Sequence, residues 1–81
     1  MLREKLVVRA MWDEDARVFV ATSDDVPRLV TEAETLEALR RKLDVMIPEL
    51  LELNGGSEPF SNDEAELIVL SEHHSRVRLR A

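Results

Sequence analysis

Apolar residues fall into runs with two different periods. From Lys5 to Trp12, the residues Leu6, Val7, Val8, Ala10, Met11 and Trp12 are apolar with only Arg9 between them, a β-rich composition that predicts a first strand. Asp13-Glu14-Asp15-Ala16 is a polar break of hairpin length, and Arg17-Val18-Phe19-Val20-Ala21-Thr22 resumes the strand pattern after it. A loop of those four residues sets Trp12 opposite Arg17 and Ala10 opposite Phe19. Leu6, Val8, Ala10, Trp12, Phe19 and Ala21 then share one face, the better core candidate. The other face keeps Val7, Met11, Val18 and Val20 beside Arg9, too apolar for a plain solvated side, so a cover on both faces is expected.

Ser23-Asp24-Asp25-Val26-Pro27-Arg28 is a turn cluster: Asp side chains close local turns, and Pro27 fixes its own φ and has no N–H to donate. Leu29 to Ala33 predicts a short third strand. The period then changes. Leu36, Leu39, Leu43, Met46, Ile47 and Leu50 recur at helical spacing behind Thr35, a favoured N-cap, with Glu37 in the first turn where the helix dipole favours an anion. Asn54-Gly55-Gly56 supplies a stop, which predicts a helix over residues 36–53. Pro48 lies inside it and removes one backbone hydrogen bond, predicting either a kink or two abutting helices. After a polar loop at residues 57–63 containing Pro59 and Phe60, Leu67-Ile68-Val69-Leu70 predicts a buried fourth strand. From Ser75 to Ala81, Arg76, Arg78 and Arg80 alternate with Val77 and Leu79 as in a half-buried strand, which either extends strand four or turns back at His73-His74-Ser75. The expectation is an α+β fold in the order β-β-β-α-β, with a mainly antiparallel sheet and one long helix, bent at Pro48, on one face.

Composition narrows the class. At 81 residues the chain is expected to form a single domain spanning residues 1–81, with a thin core: a chain of this size buries only about 60% of its unfolded surface. The absence of cysteine removes disulfides and thiolate metal sites and fits an intracellular, cytoplasmic setting. No apolar run reaches the ~18 residues of a membrane span, and the opening residues lead into a strand and not a signal-peptide core. The net charge of −6 disfavours direct binding to nucleic acid, whose affinity depends on a basic surface.

Candidate chemistry is sparse. Asp13, Glu14 and Asp15 fit a solvated hairpin loop better than a cation site, which needs about six converging oxygens. His73 and His74 are neighbours, point to opposite faces on a strand and cannot both reach one metal. Asp24 and Asp25 fit turn capping better than acid–base work. Neither a nucleophile elbow nor a glycine-rich phosphate loop is present. Trp12 fits a core position against Phe19 and the helix. The arginine row either grips an acidic or phosphate-bearing partner or protects an edge strand from unwanted pairing. Catalytic, cofactor and metal residues are therefore expected to be none, and Arg76, Arg78, Arg80, Val77 and Leu79 are the candidate partner or dimer interface.

Val8-Arg9-Ala10, Trp12-Asp13, Val18 through Pro27, Leu29 through Glu37 and Ile47-Pro48-Glu49-Leu50-Leu51 together resemble the short HicB-like domain proteins. The resemblance covers most of the chain, and its motifs are structural: a turn, a cap and a helix face. That family typically has glycine after the turn proline. Arg28 stands there in this chain, so a type I turn is expected in place of a type II turn, which needs positive φ. The resemblance implies an antitoxin of a toxin–antitoxin pair, binding a small basic ribonuclease, a HicA-like toxin, with no cofactor. Many members add a C-terminal DNA-binding segment, for which a chain ending at Ala81 leaves no room. An acidic surface suits a basic partner. The alternative is a self-associating structural or small-ligand module without a toxin, forming a homodimer or higher homo-oligomer.

Overall fold

The hairpin closes one residue later on each strand than the polar break suggests. In the computed structural model, which describes residues 5–53 and 65–80, β1 is Lys5–Asp13 and β2 is Val18–Thr22. Asp13 stays in the ladder opposite Val18 because it anchors the loop: its Oδ1 accepts the N–H groups of Asp15 (3.0 Å) and Ala16 (3.2 Å), and its carbonyl accepts Arg17 N–H at 2.7 Å. Arg17 takes the left-handed conformation, φ 61°, that ends this loop. Trp12 therefore faces Phe19 and Ala10 faces Ala21, a correction to the expected register. The slip is two residues in sum, so every side chain keeps its expected face.

The remaining elements are β3 (Val30–Ala33), α1 (Leu36–Leu53) and β4 (Glu66–Glu72). The sheet is mixed, in the order β3-β2-β1-β4, with β1 and β3 antiparallel to β2 and β4 parallel to β1. A parallel return needs a crossover, and α1 supplies it. The fold is thus α+β in the order β-β-β-α-β, with two of its three strand pairings antiparallel.

The helix begins as its cap predicts. Thr35 Oγ1 accepts Ala38 N–H at 3.0 Å, and Thr35 carbonyl accepts Leu39 N–H at 3.0 Å. It runs unbroken through Pro48, so two abutting helices are not formed. Pro48 lies on the exposed side, where Asp44 carbonyl, deprived of its usual N–H partner, can turn to water. Leu39, Leu43 and Ile47 form the buried stripe, packed on Leu6, Val8, Ala10, Ala21 and Ala33 of the sheet. Each fully buried leucine contributes about 1.5–3 kcal/mol. Small alanines on the sheet let the helix approach closely, and Lys42 Nζ ties it to β3 by donating to Glu32 carbonyl at 2.6 Å. The Arg41–Glu37 and Arg40–Asp44 pairs are exposed and add little.

Val26 and Leu29 complete the core from the β2–β3 connection. Leu29 N–H donates to Val26 carbonyl at 3.1 Å, and Arg28 has φ 75°. With Pro27 at the second position this is a type II turn, which corrects the expected type I. The reason is burial: this turn drives Val26 and Leu29 together into the core while Pro27 and Arg28 stay outside.

β4 is an edge strand and not a buried one, with Leu67, Ile68 and Val69 half-buried and Leu70 exposed. Residues 73–80 follow it without regular secondary structure, all exposed. The helix stop at Asn54-Gly55-Gly56 and the loop at residues 57–63 lie outside the described residues.

Candidate partner-binding surface

Helix α1 covers one face of the sheet, and alternation assigns the opposite face. Its rows follow from the register: Glu32, Val20, Met11 and Glu72 lie across the sheet, then Val30, Thr22, Arg9 and Leu70, then Val7 and Ile68. Val18 continues the face toward the hairpin. No described element covers it. Met11 is 47% exposed, Leu70 53% and Val30 66%, while Val7, Val18, Val20 and Ile68 are half-buried. Contiguous apolar surface of this kind, rimmed by Glu32 and Glu72 and holding Arg9 at its centre, is what interaction sites expose. The excess of apolar residues on this face was legible in the alternation of β1 and β2; its extension by Ile68, Leu70 and Val30 was not.

At one corner the β1–β2 ladder stops at the Arg9–Thr22 pair, and side chains replace it. Ser23 Oγ donates to Val7 carbonyl at 2.6 Å while accepting the N–H groups of Asp25 (3.0 Å) and Val26 (3.2 Å). Asp25 Oδ2 accepts Val7 N–H at 2.8 Å. The turn thus supplies both backbone partners that a longer β2 would have given Val7. Asp25 is engaged in architecture, and Asp24 lies beside it on the wall of a shallow depression formed with Val7, Arg9, Thr22 and Ser23.

Trp12 and Phe19 meet at the hairpin end of the other face. Trp12 meets Phe19 edge-on at 4.9 Å, lies against His73 at 5.3 Å and has the Arg17 guanidinium 5.9 Å from its ring centre. Its Nε1–H donates to Glu14 Oε1 at 2.8 Å. Trp12 therefore meets Phe19 as expected, but it is half-buried and stands apart from the side chains packed on the helix-covered core, which corrects its placement. Glu14 is shared between Trp12 and Arg17 (3.0 Å). His74 Nε2 lies 2.8 Å from Glu72 Oε2, so the two histidines turn to different neighbours.

Arg76, Arg78, Arg80, Val77 and Leu79 stand on the extended arm beyond β4, where none of the arginines forms an ion pair among the described residues. Also among the described residues, no group of three or more His, Asp or Glu side chains could hold a metal ion, and no helix is long and apolar enough to cross a membrane.

The arrangement defines a small α+β domain with one helix-covered sheet face, one apolar face that no described residue covers and an arm beyond β4. The chain belongs to the family described as a domain of unknown function, DUF1902, whose profile matches residues 5–81. Among solved structures it is similar to the crystal structure of hypothetical protein TTHA1013 from the extremely thermophilic bacterium Thermus thermophilus. The two share 46% sequence identity and a TM-score of 0.68, over 94% of this chain and 100% of that one. No curated protein matches the chain.

Proposed function

We propose that this chain is a non-enzymatic protein-binding module, the antitoxin component of a type II toxin–antitoxin pair that masks a small basic ribonuclease. The observation that carries the reading is the apolar sheet face around Met11, Val20, Val30 and Leu70, which no described residue covers. Burial of that face against a partner is favourable at about 25 cal/mol per Å² of apolar surface. The likeness of residues 8–51 to HicB-like proteins supports the class of partner, and the net charge of −6 supports a basic one through complementary steering. A homo-oligomeric module without a toxin is the second reading, favoured by the exposed apolar residues of the arm.

The test is co-expression with the products of adjacent genes, followed by pull-down and a ribonuclease assay. A complex with a small basic protein, loss of that protein's ribonuclease activity in the complex, and loss of binding in a Met11→Glu, Leu70→Glu chain are expected. Absence of any such complex, or one indifferent to these substitutions, defeats the proposal.

A further inference from the structure

The arm at residues 73–80 combines features that a solvated tail does not need. Val77 is 76% and Leu79 91% exposed, yet they alternate with arginines as in a strand with one buried face. Two contacts show that strand geometry persists past Glu72. His73 lies against Trp12, the residue it would face if the parallel β1–β4 register continued. His74 turns to the same side as Glu72, as residues two apart on a strand do. Continued to Arg80 as a strand, the same alternation would put Val77 and Leu79 in line with Leu67 and Val69, on the helix side of the sheet. Arg76, Arg78 and Arg80 would then fall in line with Glu66, Ile68, Leu70 and Glu72. At about 3.3 Å per residue, residues 66–80 span roughly 46 Å. That fits a molecule measuring 57 × 25 × 19 Å, and its radius of gyration of 15.2 Å exceeds the ~12 Å of a compact domain of this length.

We propose that two copies of this chain pair antiparallel along β4 and the arm, each arm adding a strand to the other copy's sheet, with the two-fold axis at His73. β4 offers the edge: it is the outer strand of the sheet, and half of its backbone groups are left for a further strand. The axis at His73 sets Leu79 opposite the second copy's Leu67 and Val77 opposite its Val69, completing a core that is only half-covered at β4. It also sets Arg80 opposite Glu66, and opposite charges facing each other stabilise antiparallel pairs. Charge argues for a second copy as the occupant. The arm carries three of the chain's eleven Lys and Arg residues and none of its seventeen Asp and Glu, so a basic arm meets an acidic body. A two-fold arrangement uses both arms and leaves neither β4 edge free. The uncovered sheet face is not consumed, so the inference stands or falls separately from the toxin reading.

The test uses the full chain and light scattering over a concentration series. A dimer is expected, and Val77→Asp with Leu79→Asp should convert it to a monomer of unchanged circular dichroism, because neither side chain packs on its own chain's core. Glu66→Arg and Arg80→Glu each create two like-charge pairs per dimer, and each should raise the dimer dissociation constant about tenfold. Mixing these two variants should restore wild-type affinity, since both cross pairs become complementary again. An arm folded back on its own strand cannot produce that rescue. A wild-type chain that stays monomeric at millimolar concentration, a dimer indifferent to the Val77 and Leu79 changes, or a mixture without rescue each overturns the proposal.

Discussion

Arg28 is the place where backbone geometry and residue type disagree most directly. Its φ of 75° lies in the left-handed region, which costs an L-residue about 1–2 kcal/mol through the clash of Cβ with the backbone. Arg28→Gly removes that clash and makes the unfolded chain freer, which returns about 0.4–1 kcal/mol. The guanidinium is exposed and makes no hydrogen bond or ion pair among the described residues, so no described contact is lost with it. The net expectation is a gain of roughly 0.5–1 kcal/mol. For a domain of this size that raises Tm by about 2–8 °C. Thermal melts followed by circular dichroism, with urea midpoints as a second measure, read this directly. Arg28→Ala is the control, because it keeps Cβ and should leave Tm nearly unchanged. Arg17, at φ 61°, is a poorer target, since its side chain pairs with Glu14 and lies over Trp12. A lower Tm for the glycine variant, or an equal rise for the alanine variant, refutes the account of this turn.

Ser23→Ala removes the partner of Val7 carbonyl and of two N–H groups at once, so a loss of about 1–3 kcal/mol is expected by urea denaturation; a loss below about 0.3 kcal/mol would mean water replaces the hydroxyl at no cost. Pro48→Ala restores an N–H within a continuous helix and should keep or raise both helix content and stability, by up to about 3 kcal/mol; a large drop in ellipticity at 222 nm would show that the proline is required there.

Most of the fold was legible because its periods are strong. The start of the helix followed from Thr35 and its course from the leucine spacing, and the face of every residue in β1 and β2 followed from alternation. What alternation cannot supply is the pairing sum. Two loops that differ by one residue on each side give the same faces, and only the bonding of Asp13 to its own loop decides between them. The turn at Pro27 failed for a related reason. Local preference disfavours positive φ at Arg28, but the burial of Val26 and Leu29 on either side outweighs a cost of about 1–2 kcal/mol, and burial is not visible in a tetrapeptide.

The same reasoning bears on the arm. Sequence alternation at Val77 and Leu79 predicts a half-buried strand, and among the described residues of a single chain that strand has nothing to be buried against. For α1 and β1 the pattern and the packing agree within one chain, because the stripe of one meets the stripe of the other. For β4 and the arm they disagree, and the disagreement has a direction: an edge left unpaired, a row of apolar side chains in line with a half-covered core, and a basic row beside acidic neighbours. A pattern that a single copy leaves unsatisfied is completed by a second copy at no new sequence requirement, since the edge and the strand that covers it are encoded together between Glu66 and Arg80.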